Sequence, residues 1–450
     1  MPSPRSWPLK LRLVLFAFGD FAFNLYWQSI MLFLLFYYTD ALGLPMTVAA
    51  TTFMVASIWD GIVNFVAGIF MDQRKPSRGY GAFLMLGSVP LGVAFILAYL
   101  PPAAPGFWGV ATVFAGHLLF RTAYAMTNVP YLAMSSRISS DSSDRAFLAG
   151  MRMLFGTLAA VLVALCTIPI GEWLTGSDIA ARAYLGAALL SAVAGTVILL
   201  LVGATFQEGV PPVDQERPSI RASLISLATN RAFVTLNLAM MSMIIAVTVL
   251  HKSVLYYFKY FHGNESAGQL ALAAMGAVSA VAVPLWMLLA RPIGGRGLWF
   301  LASALGMAGL VFFASVDIHR PGTMQLFLVG MQAAIVGLNF VFWAMLPNTI
   351  EFGERTTGLR VEGGVFGLAA LLQRIAIGVA TGILGWSFGS AGYVANVEQD
   401  ADTLAAMRST MALIPLGFLA LSCLLMLLNP LRKGAHARIV DDLKRQAKRA

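Results

Sequence analysis

The stretch SIWDGIVNFVAGIFMDQRKPSRGYGAF, Ser57 to Phe83, is apolar enough in its first part to lie in a membrane, yet Asp60 and Asn64 sit inside it and a burst of charge follows at once. An aspartate at the centre of a spanning helix costs on the order of 2.5–3.5 kcal/mol on insertion scales, so such a residue usually faces a partner or a water-filled cavity. The charge that follows has a simpler reading. Arg74, Lys75 and Arg78 end the apolar run at the membrane surface, where cations meet anionic headgroups. The stretch therefore reads as a spanning helix that carries a buried polar site and stops at a cytoplasmic anchor.

The rest of the chain repeats this grammar. Of its 450 residues 58% are hydrophobic and 11% charged, with a mean hydropathy of +0.77, whereas soluble domains carry about 25% charged residues. Apolar runs long enough to cross roughly 30 Å of hydrocarbon are expected at 13–38, 46–71, 82–101, 107–134, 148–170, 183–205, 232–258, 267–290, 298–316, 324–350, 364–389 and 405–428. These twelve spans define an all-α membrane protein. The longest polar connection, containing PPVDQERPS, divides it into bundles of six: residues 1–205, a middle loop at 206–231, residues 232–429, and a basic tail at 430–450. The first run is too long, and lacks the small-residue cleavage site, to be a removable signal peptide. Cys166 and Cys423 fall inside separate spans and read as buried small hydrophobes.

The net charge is +9, and its placement excludes nucleic acid as the partner. Lys and Arg gather near Lys10, Arg74, Arg137, Arg217, Arg291 and Arg355 and in the tail, while loops such as TDALGLP and PPAAPG hold almost none. These are alternate loops, so the asymmetry is the positive-inside pattern and places both termini and the middle loop in the cytoplasm. An internal repeat agrees: at an offset near 217, NVPYLAMSSR around Pro130 aligns with LPNTIEFGER around Pro347, each expected to end a helix and open a loop. An even number of helices per half gives parallel repeats, as in transporters built from two six-helix bundles.

Polar residues inside the spans fall into stripes. Asp20, Asn24 and Gln28 lie at i, i+4 and i+8 of the first span, with Trp27 alongside; His117, Arg121, Tyr124 and Asn128 advance by 4, 3 and 4 along the fourth. Residues spaced this way share one helix face. Arg152 joins from the fifth span, and Gln373 with Arg374 from the eleventh. One structural reading pairs Asp60 with Arg121 or Arg374 to pin helices together. A shared aqueous cavity accounts for the whole set at once. His117 reads as a hydrogen-bonded interior residue, and Trp27 and Tyr124 either as packing aromatics or as the plate beside which a sugar face is held.

At these residues a resemblance becomes specific. GDFAFNLYWQSIMLFLLFYYTDALGLP, SIWDGIVNFVAG, NVPYLAMSS followed by DRAFLAGMRM, YYFKYFHG and NTIEFGERTTGLRVEGGVFGLAALLQR resemble the glycoside-pentoside-hexuronide:cation symporters, melibiose-permease-like members of the major facilitator superfamily. The resemblance implies the major facilitator fold and a secondary transporter. Such a protein moves a sugar, glycoside or sugar acid across the inner membrane by alternating access, coupled to a cation. It implies that Asp60 occupies the first carboxylate position of the helix-two cation motif; the second is Asn64 here and the proline is Phe65, while Val63 and Ala125 replace two further oxygen ligands. Sodium prefers several hard oxygens, so a proton is favoured over sodium. The family's two sugar-holding acids correspond to Asn24 and Asn128, its arginine to Arg152, its tyrosine to Tyr124, and its helix-eleven lysine to Arg374; Leu132 and Asn348 stand where the family has a tryptophan and an acid.

The expected substrate site is therefore Asn24, Trp27, Tyr124, Asn128 and Arg152, with Asp20 and Arg121 as secondary candidates. Coupling is expected at Asp60, Asn64 and Arg374. Burial favours a neutral Asp60, and a neighbouring guanidinium such as Arg374 favours the carboxylate. No nucleophile elbow, zinc motif or phosphate loop is present, and the spacing of Asp60 and Asp72 does not build a shared metal site. An enzyme, a resident metal and a cofactor are accordingly not expected. The alternatives kept open are a lysolipid or other amphiphile carrier of the same family and an uncoupled facilitator.

Overall fold

The computed structural model describes residues 8–73, 79–135, 138, 142–206, 219–359, 361–435, 438–439, 441–442 and 445. Arg74, Lys75, Arg78, Arg137 and Arg217, and with them much of the charged-loop argument, lie outside the described residues. Among the described residues there is no strand, and twelve helices run 20 residues or longer.

The first six long helices are α1 (Leu9–Phe36), α2 (Met46–Gln73), α3 (Gly79–Ala98), α4 (Gly106–Ser135), α5 (Ser142–Thr175) and α6 (Ala180–Thr205). A short helix, α7 (Ile220–Thr229), precedes α8 (Arg231–His262), α9 (Glu265–Ile293), α10 (Gly295–Ser315) and α11 (Pro321–Met345). After another short helix, α12 (Asn348–Thr357), come α13 (Glu362–Ser390) and α14 (Ala401–Leu427). Eleven stretches of the described chain are long and apolar enough on average to cross a membrane; α4 is not among them. His117 and Arg121 lower its mean. Its 30 residues nevertheless form one unbroken helix, because both polar side chains have partners inside the protein.

Helix ends follow from local chemistry. Asn230 caps α8 by accepting from the Phe233 amide at 3.0 Å, and Gly263, at φ +60°, closes it in the left-handed region that glycine adopts without strain. Asp400 caps α14 through the Thr403 amide, and the hydrogen bond from that backbone N–H holds the Asp400 carboxyl below its ordinary value.

Three expectations need correction. The middle connection is not all loop, since α7 lies within it, started by Ser219 accepting from the Ala222 amide. The TDALGLP segment is not all loop either, since α1 continues as a π-helical turn over Tyr37–Ala41. Pro130 and Pro347 are not equivalent helix ends. NVPYLAMSSR does end α4, at Ser135, with Pro130 inside the helix, whereas LPNTIEFGER opens no loop at once: the chain breaks at Leu346 and Pro347 and restarts as α12.

The chain forms two compact units, Met1–Asp214 with Val394–Val397, and Gln215–Tyr393 with Glu398–Ala450. In the first unit α1 packs on α5 and α6, α3 on α4 and α6, and α2 on α4. Small residues permit the closest approach: a Cβ on Gly81 would come within 2.5 Å of the Gly203 carbonyl oxygen, and α3 and α6 meet there. In the second unit α8 packs on α13 and α14, α9 on α11, and α10 on α11 and α14. Polar bonds tie this packing together, because a hydroxyl or indole N–H left unpaired in hydrocarbon is costly. Trp299 Nε1 donates to Ser422 Oγ at 3.2 Å, and Ser422 donates onward to the Ala239 carbonyl at 2.8 Å.

Candidate functional site

Two ion pairs organise the polar side chains of the first unit, and they differ in exposure. Asp20 on α1 and Arg152 on α5 are joined by Arg152 Nε to Oδ2 at 2.6 Å and Nη2 to Oδ1 at 3.2 Å, with side chains 16% and 24% exposed. The guanidinium thus uses both arms on one carboxylate, the arrangement that makes arginine pairs directional. Tyr131 on α4 sets its hydroxyl 2.6 Å from the same Oδ2 and 2.8 Å from the Phe16 carbonyl, two acceptors that share its single proton. Its ring lies flat against α1 because position 19 is glycine, where any Cβ would meet the ring at 2.6 Å.

The second pair is sealed. Arg121 on α4 reaches Asp60 on α2 at 3.4 Å, and both side chains are fully buried. Asn64 Nδ2 donates to Asp60 Oδ1 at 2.9 Å, while Arg121 Nε donates to His117 Nε2 at 3.1 Å and Nη2 to Ser57 Oγ at 3.5 Å. Because His117 Nε2 accepts, its ring is neutral with the proton on Nδ1. The Trp27 and Phe53 rings cover the guanidinium, with centroids 5.0 and 5.3 Å from Cζ, a favourable placement for a cation removed from water. Each buried ion costs several kcal/mol in lost hydration unless such partners surround it. The arrangement reads first as a structural clamp between α2 and α4.

The sequence candidates fall as follows. Asn24 is bonded on both sides: its Nδ2 donates to the Asp20 carbonyl at 2.8 Å and its Oδ1 accepts from Gln28 at 3.3 Å. Gly156 on α5 faces the Asn24 amide, 3.1 Å from where a Cβ would stand. Trp27 packs on Tyr124 with centroids 5.6 Å apart. Tyr124 is 5% exposed and touches Phe23 and Phe120 as well, so it backs Trp27 instead of offering a free ring face. Asn128 is half-buried and has no hydrogen bond to any described residue.

Asp60 and Asn64 are brought together. Arg121, a secondary candidate and one of the two cations expected opposite Asp60, pairs with it at 3.4 Å; Arg374 lies on α13 of the second unit. Asp20, also a secondary candidate, is the anion of the accessible pair. Tyr131 was missed although the signal was present, since it extends the α4 stripe by three residues beyond Asn128. In the second unit His251 Nε2 lies 2.8 Å from Gln332 Oε1 and Gln332 Nε2 donates to Ser279 Oγ at 3.0 Å, a chain the sequence does not show because its members lie on three different helices.

No group of three or more His, Cys, Asp or Glu among the described residues is arranged to hold a metal. Long apolar helices in two units, with buried and half-buried ion pairs between them in the first unit, fit a polytopic carrier of the major facilitator type.

The chain belongs to the MFS/sugar transport protein family, which it matches over residues 15–433, and within it to the glycoside-pentoside-hexuronide group. It is a multi-pass membrane sugar transporter and not an enzyme. It is 25% identical to the glucuronide carrier protein homolog of Escherichia coli K12, over 96% of this chain and 95% of that one. It is 25% identical to the isoprimeverose transporter of Lactiplantibacillus pentosus, over 96% and 90%. A putative sulfoquinovose importer of Salmonella typhimurium LT2 is 28% identical over 98% and 95%. Among solved structures, an inward-facing bacterial homolog of the human lysosomal transporter Spinster superposes with a TM-score of 0.68 at 13% identity, over 95% of this chain and 97% of that one. That likeness concerns the fold alone.

Proposed function

We propose that the protein carries an acidic sugar or glycoside across the inner membrane by alternating access, together with a proton, with both termini cytoplasmic. The observation that carries this reading is the partly exposed Asp20–Arg152 pair, with the Asn24 amide bonded to the Asp20 carbonyl. Arg152 presents a planar fork suited to a carboxylate or sulfonate. An anionic substrate competes with Asp20 for that fork, and the carboxylate it displaces then loses its cation and takes up a proton. Substrate and proton load together, and both bias the same conformational equilibrium. Two of the relatives carry names that specify anionic sugars, a glucuronide and sulfoquinovose, which supports the charge assignment. Lining is assigned to Asn24, Trp27, Asn128 and Arg152, with Tyr124 as backing. Asp60, Asn64 and Arg121 hold α2 on α4, and the coupling role moves from Asp60 to Asp20.

A second reading, a neutral glycoside held by the amides with the ion pair intact, is favoured by the isoprimeverose relative and by the two bonds that Arg152 already makes. Uptake into proteoliposomes separates the two. Accumulation of p-nitrophenyl β-D-glucuronide driven by an inward proton gradient is the expected result. Accumulation of isoprimeverose alone, or of either compound under a sodium gradient alone, overturns the acidic-sugar and proton assignments respectively.

A further inference from the structure

The second unit carries a groove that plays no part in the site described above. Its walls belong to α9, α10 and α11, and it encloses about 820 Å³. Leu285 and Leu289 of α9, Leu305 and Phe312 of α10 and Leu326 of α11 stand exposed along it. Of its sixteen lining residues only Trp286 and Thr323 carry a nitrogen or oxygen in the side chain, and the Trp286 indole N–H is already given to the Ala333 carbonyl at 2.8 Å. Such a surface on spanning helices offers a sugar almost no hydrogen bonds and belongs to hydrocarbon. Its length is informative as well. On α10 the lining runs from Leu301 to Phe312, about 16 Å of helix, which is about the depth of one leaflet in a hydrocarbon core roughly 30 Å thick.

One end of the groove leads to cations. Arg291 follows Leu289 by two residues on α9, and Arg296 precedes Leu301 by five on α10. The chain beyond α14 returns to the turn between these helices: Lys433 Nζ donates to the Pro292 carbonyl at 2.6 Å, and its Cγ lies 3.3 Å from where a Cβ on Gly294 would stand. Arg296 Nη2 donates to the Leu427 carbonyl at the end of α14 at 2.8 Å, and Arg432 is close enough for its charge to repel that of Arg296. Arg291, Arg432 and Lys433 are exposed. The ion pairs among the described residues are made by Asp60, Asp20, Asp442 and Asp317 with other arginines, so no described carboxylate neutralises these four cations. Like charges gathered without acids create a local demand for an anion. The five residues from Arg296 to Leu301 rise about 7.5 Å, which leaves room for glycerol and ester groups between a phosphate and the first methylenes of a chain.

We propose that this groove binds an anionic phospholipid of the bilayer, with an acyl chain laid along α10 and the phosphate held by Arg291, Arg296, Arg432 and Lys433. The phosphate then bridges the α9–α10 turn and the segment after α14, two parts of the second unit that share only the bonds of Arg296 and Lys433 to main-chain carbonyls there. On the proposed topology this end is cytoplasmic, the side on which anionic headgroups concentrate. The site is independent of which compound the protein carries.

Full-length protein, delipidated in detergent, is titrated with dioleoylphosphatidylglycerol or dioleoylphosphatidylcholine and followed by native mass spectrometry. One phosphatidylglycerol per chain is expected, bound about tenfold more tightly than phosphatidylcholine. Arg291→Gln combined with Arg432→Gln removes two exposed charges that pair with no described acid. It is expected to abolish the preference, binding both lipids as the parent binds phosphatidylcholine, at an unchanged melting temperature in lipid-free detergent. Ala308→Phe fills an exposed position of the groove wall and keeps the cations; it is expected to weaken both lipids about fivefold by taking the place of chain methylenes. Glycerol 3-phosphate, which has the headgroup chemistry without the chains, is expected to leave the bound lipid in place at equal concentration. Displacement by glycerol 3-phosphate, equal binding of the two lipids by the parent, or undiminished phosphatidylglycerol binding in Ala308→Phe overturns the inference. So does a parent that is dimeric in detergent and retains no lipid, since the groove is then covered by a second copy of the chain.

Discussion

Asp20 and Arg152 lie 132 residues apart and are joined by two hydrogen bonds, of 2.6 and 3.2 Å, while remaining partly open to the surroundings. Arg121 and Asp60, by contrast, are closed off completely. A charge pair that must open during a transport cycle has to be reachable by ligand and water; one that holds helices together does not. Asp20→Asn keeps the size of the side chain and removes the titratable group. We expect it to lose at least ~10-fold of gradient-driven accumulation while retaining exchange of glucuronide down its gradient, since an amide still leaves Arg152 available. Undiminished accumulation in this variant removes Asp20 from the coupling step.

Arg152→Lys tests the fork. A lysine keeps the charge but presents a point donor in place of two parallel N–H groups. Binding of an acidic sugar is expected to weaken about tenfold, and binding of a neutral one far less. Calorimetric titration of both ligands checks the ratio, and equal losses for the two contradict a carboxylate held bidentately.

The buried pair should behave in the opposite manner. Arg121→Met leaves Asp60 without its guanidinium in a site that excludes water, a change that costs about 3–5 kcal/mol. The double variant Asp60→Asn with Arg121→Met removes both charges and is expected to recover most of that loss. Thermal unfolding in detergent of the two single variants and the double gives the coupling directly. Additive losses mean that the two residues do not form the clamp.

Much of the architecture was legible because hydrophobic length acts at the scale of whole helices. All twelve spans could be drawn, including α4, whose average polarity argues against a span until His117 and Arg121 are recognised as one stripe. Pairings between helices were less legible. The sequence offers Asp60 cations at 121 and 374, and it is the packing of α2 on α4 that brings Arg121 to it. Tyr131 lay on a stripe already identified, but a tyrosine flanked by Pro130 and Leu132 gives no sign that Gly19 opens a place for its ring on α1. The Ser279–Gln332–His251 chain has no local periodicity at all, since each helix contributes one member.

The topology proposed from the placement of Lys and Arg can be tested at described positions. With Cys166 and Cys423 replaced by serine, a cysteine at Arg221 at the start of α7 is expected to be shielded in intact cells from a membrane-impermeant maleimide. A cysteine at Asp178, between α5 and α6, is expected to react. Both positions are exposed on the protein, so lack of reaction reports the membrane side and not burial. Labelling of Arg221→Cys from outside reverses the assignment of both termini.

Asn128 offers the sharpest separation between recognition and structure. Asn24 is engaged by Asp20 and Gln28, so its removal disturbs α1 as well as any ligand. Asn128 has no bond to a described residue and is half-buried on the same α4 face as Tyr131 and Arg121. A side-chain amide held at such a position inside a membrane bundle gains its hydrogen bonds from water or from a ligand. Asn128→Ala therefore leaves the melting temperature of the free protein within experimental scatter, and it weakens sugar binding by about threefold to tenfold, the range for one or two neutral hydrogen bonds. Asn24→Ala lowers both. Isothermal titration beside thermal unfolding, on the same preparations, reads the two effects together, and an Asn128→Ala variant that melts lower but binds as the parent does makes Asn128 a packing residue and shifts the site toward α1 and α5.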